Sequence, residues 1–259
     1  MMFKDSRIVK LVRTSVNMLS LLYGQFGATV FKGAMGLVSF VKDFRNYTSM
    51  DGNSRFKTSV RFFQPMLRDR TGSTPLDPVY FYQDSWAAGK IFKLKPSHHY
   101  DVGSSAKFVG IISQFVPVTM IDIRPVELKL ENLHFRKGSL LALPFEDSSI
   151  ESLSTLCVVE HIGLGRYSDP LDPNGSEKAI KELKRVLRPG GDLLFSVPVD
   201  VECRVYFNAH RSFTRDYVME LFKDMELIEE RYIYGDYVHG SYDKSRGFGT
   251  GLYHFRKVK

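Results

Sequence analysis

The chain is poor in cysteine. Cys157 and Cys203 are its two, far apart and outside any CxxC or metal-ligand spacing, which argues against a disulfide framework and favours a reducing compartment, the cytoplasm. It also lacks the short apolar core and small-residue cleavage site of a secretory signal. Long hydrophobic runs are scarce. The longest uncharged stretch, "TSVNMLSLLYGQFGATVF" between Arg13 and Lys32, is diluted by Asn17, Ser20, Gln25 and two glycines. It reads first as a helix packed on the main domain, with a helix gripping a membrane surface and a membrane span as the alternatives. No internal repeat or low-complexity tract is present, and acidic residues are few only at one end. Residues 1–70 hold 12 Lys/Arg against 4 Asp/Glu, a net of +8, whereas the rest is close to balanced. A basic segment of this kind suits a phosphate-bearing surface, either anionic lipid at the inner face of a membrane or nucleic acid, or is simply a solvated face. The absence of an RNA-recognition motif and of an Asn-Pro-Pro base-methylation signature ranks nucleic acid last.

What remains is ample for a folded core: 259 residues, 43% of them hydrophobic. The turn-rich "RTGSTPLDP" places a boundary that separates a basic, partly helical N-terminal extension, 1–75, from a domain over 76–259. Helices and strands alternate in that domain. "YFYQDSWAAGKIF" is an amphipathic helix; "HHYDV" and "VPVTMIDI" are short apolar strands flanking the helical "AKFVGIISQF". "LSTLCVV" is a buried strand, "SEKAIKELKRVL" a helix closed by "RPGG", and "DLLFSVP" another strand; "ELIEERYIY" and "TGLYHFRKV" add two more. This order predicts an α/β fold, a mostly parallel sheet with helices on both faces, whose ligands gather beyond the carboxyl ends of the strands.

The loop after the first of those strands, "DVGSSAKFVG", keeps one glycine before Lys107. Gly103 permits a sharp turn and lets backbone N–H groups approach a ligand. About twenty residues on, Asp122 ends the second strand, where a carboxylate can accept both hydroxyls of a ribose. A structural corner with a helix cap is the alternative for both.

"KGSLLALPFEDSSIESLSTLCVVEHIG", "ELKRVLRPGGDLLFSVP" and "GTGLYHFRKV" together resemble the class I S-adenosylmethionine-dependent methyltransferases. That resemblance covers about residues 81–259. More narrowly, "YFYQDSWAAGKIF", "DVGSSAKFVG", "IDIRP", "VEHIGLGRYSDPLDP" and "FNAHR" resemble a branch catalogued as a domain of unknown function, DUF268, and associated with surface-polysaccharide synthesis. The resemblance implies a Rossmann-like sheet with its last strand antiparallel, and S-adenosylmethionine as cofactor. By position it implies that Asp101, Gly103 and Ser105 line the methionine part, that Asp122 binds the ribose, and that Ser139 and Leu140 border adenine. Glu160 joins the cofactor pocket; His161 braces the sheet end or shapes the same pocket, and is also a catalytic candidate beside the residues after the fifth strand. Ser105 and Lys107 stand where the superfamily has glycines, and Ser139 where an acid commonly accepts from the adenine amino group; a serine can still accept, without charge assistance.

Methyl transfer from a sulfonium is an in-line displacement, so alignment does much of the work, and a base is needed when the acceptor is a hydroxyl. "VDVECRVYFNAHRSFTRD" packs Tyr206, Asn208, His210 and Arg211 together. Within it His210 is read as the base, Arg211 as the holder of an anionic group and Asn208 as a hydroxyl partner; the alternative is a segment that merely enters the next helix through Thr214 and Asp216. Arg166, Tyr167, Asp169 and Asp172 lie on a loop that could cap a polar acceptor or be a surface turn. One histidine with loop carboxylates is too thin a pattern for a metal. The leading expectation is O-methylation of a saccharide or lipid-linked saccharide. A methyltransferase-shaped module without chemistry in a glycan-assembly complex, motivated by Ser105, Lys107 and Ser139, and an RNA-directed methyltransferase are the alternatives.

Overall fold

A computed structural model describes residues 36–50, 55–67, 69–124 and 126–258. The uncharged stretch after Arg13 lies outside the described residues. The chain divides into two units, Met1–Pro75 and Leu76–Lys259.

In the first unit, helix α1 covers 36–49 among the described residues, and a short 3-10 turn spans Val60–Phe62. The Phe63 ring meets Phe40 and Phe44 edge-on at 5.0 and 4.6 Å, an arrangement favoured by the aromatic quadrupole.

The second unit opens with α2, Pro78–Leu94. Asp77 accepts from the Val79 and Tyr80 N–H groups and Pro78 occupies the first turn, so the helix starts where its orphan donors are satisfied. It stops at Lys95, which turns left-handed ahead of Pro96. Then follow β1 (His99–Val102), α3 (Ala106–Ile112), β2 (Val118–Asp122), β3 (Leu133–Lys137), β4 (Ile150–Leu156), α4 (Gly175–Val186) and β5 (Leu187–Val199). The hairpin β6 (Arg204–Tyr206) and β7 (His210–Ser212) leads to α5 (Arg215–Leu221), β8 (Met225–Tyr234), β9 (Tyr237–His239) and β10 (Gly249–Lys257).

The main sheet runs β3-β2-β1-β4-β5-β10-β8-β9. Strands β3, β2, β1, β4 and β5 pair in parallel, and β10 is antiparallel to both β5 and β8. The antiparallel strand expected from the sequence is therefore inserted between β5 and β8, and the short β9 forms the outer edge. Alternate residues feed two cores, as a pleated strand requires. Val118 and Met120 pack with Ala87 and Ile91 of α2 and Phe108 and Ile112 of α3. Ile121, Leu193 and Phe195 pack with Ile180 and Leu183 of α4 and Phe222.

One local expectation needs correction. "RPGG" does not simply close α4: it lies inside β5, where the pairing with β4 shifts register between Ile150 and Ser152 and Gly190 adopts φ +76°. Gly190 thus forms a bulge, a role its freedom at positive φ allows. Strand β3, "LHFRK", carries a largely exposed alternation and gives no apolar run to detect.

Candidate active site

The carboxyl ends of β1, β2 and β4 surround a cavity of about 650 Å³, within the range of small-molecule and cofactor sites. Gly103, Ser105, Asp122, Ser139, Leu140 and His161 are in its wall. Gly103 has φ +72°, and a Cβ there would lie 2.9 Å from Val158 Cγ1. The turn is kept tight by the β4 end as well as by its own backbone. Lys107 is exposed on the first turn of α3, facing solvent.

Asp101 is placed differently from its reading as a lining residue. It is fully buried beneath the loop, where its carboxyl accepts from the Ser104 N–H at 3.0 Å and the Ser154 hydroxyl at 2.5 Å. Ser154 also lies 2.9 Å from His99 Nε2, and His99 Nδ1 is 2.8 Å from the Ser152 hydroxyl. Burial pushes Asp101 up to about 6 and His99 down to about 3. Asp101 shapes the turn from below rather than touching what fills the cavity.

Asp122 ends β2 at the cavity wall. Its Oδ1 accepts from the Arg124 N–H at 2.7 Å, and Oδ2 has no hydrogen-bond partner among the described residues. Next to it the Gly138 N–H donates to the Asp122 carbonyl at 3.1 Å, and a Cβ on Gly138 would stand 2.7 Å from Ile121 Cγ2. This glycine lets the loop bearing Ser139 and Leu140 press against β2. The Ser139 hydroxyl oxygen accepts from the Leu141 N–H at 3.2 Å.

On the opposite wall, a short turn at Val159–His161 follows β4. His161 Nδ1 lies 2.6 Å from the Ala209 carbonyl, an acceptor only, so Nδ1 carries the proton and Nε2 is the ring's lone-pair nitrogen. Burial pushes His161 down to about 4, keeping the imidazole neutral around pH 7. Glu160 is buried next to it, with Oε1 3.7 Å from His161 Nε2 and Oε2 without a hydrogen-bond partner among the described residues. Burial raises Glu160 to about 8. Glu160 is not part of the cavity wall; it belongs to the floor beneath, beside Cys157, whose thiol burial also raises.

The loop from Ile162 to Pro173 closes the site. Asp169 accepts from the Gly163 N–H at 2.6 Å and the Tyr167 N–H at 3.2 Å, and Tyr167 and Asp169 face the cavity. Arg211, read as an anion holder, holds the protein's own backbone instead: its guanidinium, 8% exposed, donates to Ile162 O at 2.6 Å, Asp172 O at 3.1 Å, Pro173 O at 3.3 Å and the Ser176 hydroxyl at 3.2 Å. With both terminal nitrogens engaged by the protein, it has little to offer a ligand. His210 and Asn208 sit on the β6–β7 hairpin outside the cavity wall. Asn208 is exposed, and the His210 ring lies 4.9 Å from Tyr206 and 5.7 Å from Phe248. The hairpin reaches the site through its backbone: the Ala209 carbonyl also accepts from Arg166 at 3.0 Å. Thr214 caps α5 by accepting from the Tyr217 N–H, as the helix-entry reading has it.

Tyr80 and Arg124 line the cavity as well and were not singled out from sequence. The Arg124 guanidinium carbon stands 4.6 Å over the Tyr167 ring, which meets His161 edge-on at 5.7 Å. The signal available was an arginine two residues past the strand-end Asp122.

A parallel five-strand core with an antiparallel strand between β5 and β8, and a cavity at the strand ends lined by a glycine turn and a strand-end carboxylate, define the class I methyltransferase fold. Residues 142–234 match the family model described as Caenorhabditis protein of unknown function, DUF268. The chain is 34% identical over 109 residues to the ubiquinone/menaquinone biosynthesis C-methyltransferase UbiE of Haemophilus ducreyi, a match covering 37% of this chain and 38% of that protein. Among solved structures, the Burkholderia thailandensis 1,6-didemethyltoxoflavin-N1-methyltransferase with bound S-adenosylhomocysteine aligns with a TM-score of 0.52 at 16% identity, over 72% of this chain and 93% of that one. The N-methyltransferase NodS of Bradyrhizobium japonicum, also in complex with S-adenosylhomocysteine, aligns with a TM-score of 0.52 at 16% identity, over 71% and 89%.

Proposed function

We propose that the unit Leu76–Lys259 is an S-adenosylmethionine-dependent methyltransferase acting on an oxygen nucleophile, a hydroxyl of a saccharide or lipid-linked saccharide. The observation that carries the reading is the pairing, across one cavity, of an Asp122 oxygen without a partner among the described residues and a neutral His161 with its lone pair on Nε2. The residues present suit the cofactor: Asp122 would take the ribose hydroxyls, the Gly103 turn would lie against the methionine part, and Leu140 with Ser139 would border adenine. Bound there, S-adenosylmethionine supplies a methyl group on a positively charged sulfur.

The chain's own part is then alignment and proton handling. Ala209 holds the His161 ring in one tautomer, so Nε2 is ready to accept a hydroxyl proton. Tyr167, stacked under Arg124 and edge-on to His161, covers the cavity and limits water. The saccharide acceptor rests on the resemblance of "VEHIGLGRYSDPLDP" and "FNAHR" to the DUF268 branch.

Calorimetric titration with S-adenosylmethionine tests the cofactor half: binding in the micromolar range is expected, weakened at least tenfold in Asp122→Ala. No heat at millimolar ligand would end the reading. A second reading, a module of the same shape without chemistry, is favoured by Ser139, whose hydroxyl oxygen already serves the Leu141 N–H. Retention of cellular function in Asp122→Ala would favour that reading.

A further inference from the structure

The unit Met1–Pro75 carries an exposed face that methyl transfer does not use. One side of α1 is committed: Phe40 and Phe44 pack on Phe63, and Arg70 donates to Ser39 and to Asp43 at 2.7 Å. Another side presents Leu37, Val38 and Val41 beside Lys42, Arg45 and Asn46, which line a shallow groove of about 450 Å³. Val38 is 72% exposed, and Phe56, Phe62 and Met66 of the following segment are also largely in solvent. So many exposed large apolar side chains in so short a stretch mark an interaction surface.

The charges say which kind. Lys42, Arg45, Lys57 and Arg61 share this stretch with the apolar residues, while the two described acids are Asp43 and Asp69, and Asp43 is already paired with Arg70. Aliphatic and aromatic side chains ringed by lysine and arginine complement an anionic bilayer, whose acyl boundary takes the first and whose phosphates take the second. A nucleic acid backbone would reward the cations and leave the exposed valine, phenylalanine and methionine without partners. Among the described residues no helix is long and apolar enough to cross a membrane.

We propose that this face binds the surface of an anionic phospholipid bilayer, with α1 lying in the plane of the interface. The proposal is independent of the cofactor reading, since it concerns residues outside the unit that holds the cavity.

Flotation of the full chain with phosphatidylcholine vesicles, with and without phosphatidylserine, tests it. The chain should float with the mixed vesicles, release as salt is raised, and stay in solution with phosphatidylcholine alone. Lys42→Gln/Arg45→Gln, surface changes that leave folding intact by circular dichroism, should weaken binding on the order of 30-fold, at about fivefold per cation removed from the interface. Val38→Glu/Val41→Glu should abolish flotation. Three results overturn the proposal: no flotation with either vesicle, flotation unchanged in both double variants, or a concentration-dependent dimer that Val38→Glu/Val41→Glu dissolves. Salt-sensitive binding of single-stranded RNA that displaces the vesicles would do so too, by assigning the basic residues to nucleic acid.

Discussion

Removing the Arg211 side chain should cost the second unit stability before it costs it chemistry. The guanidinium donates four hydrogen bonds, to Ile162 O, Asp172 O, Pro173 O and the Ser176 hydroxyl, and so ties the two ends of the closing loop to α4. At about 1 kcal/mol net per bond, with partial rehydration of the freed carbonyls, Arg211→Ala should lose about 3 kcal/mol. For a unit of this size that lowers Tm by roughly 6–12 °C. Arg211→Lys keeps the charge but cannot reach carbonyls on both sides at once, and should recover less than half of the loss. Thermal unfolding followed by circular dichroism gives the stability, and titration with S-adenosylmethionine gives the state of the cavity. An Arg211→Ala protein that melts within 2 °C of wild type yet has lost acceptor affinity would refute the bracing role and restore Arg211 as a ligand-holding group.

His161→Ala should reduce turnover on the order of 10²-fold or more with little change in cofactor affinity, as loss of a general base does; His210→Ala should stay within about threefold, and the reverse ranking in a radiolabelled methyl-transfer assay would move the base to the hairpin. Glu160 has its folded pKa raised to about 8 by burial, so its contribution is fully present below the unfolded value near 4.5 and is lost as pH rises through about 8. Glu160→Gln should therefore melt higher than wild type at pH 8.5 and show no such advantage at pH 5; a constant difference across that range would contradict the burial argument. Gly163 sits at φ +83°, and a Cβ there would collide with the Asp172 carbonyl, so Gly163→Ala should cost at least about 2 kcal/mol in urea unfolding. Unchanged stability would show that the loop can open without penalty.

Much of the architecture is legible because local rules and tertiary outcome agree. Asp77-Pro78 starts α2 where capping chemistry says it should, and Asp122 sits at the end of a strand whose apolar alternation is plain in sequence. The site is less legible where partners are distant in the chain. Nothing around Arg211 tells that its acceptors are backbone carbonyls almost forty to fifty positions upstream. His161 and His210 are both plausible bases as strings, and only the Ala209 carbonyl, adjacent to one in sequence and to the other in space, separates them. Asp101 illustrates the same limit: strand-end acids look alike until the Ser104 N–H and Ser154 hydroxyl claim one of them.

The place of β10 has a consequence for how the molecule is made. Gly249–Lys257 is threaded between β5 and β8, so a growing chain must hold two unzipped flanks apart until this strand has left the ribosome. Until then β5 shows an unpaired rim of amides and carbonyls to any passing strand. A stop codon ahead of residue 249 would leave not a shortened protein but a sheet in two pieces, with its keystone missing.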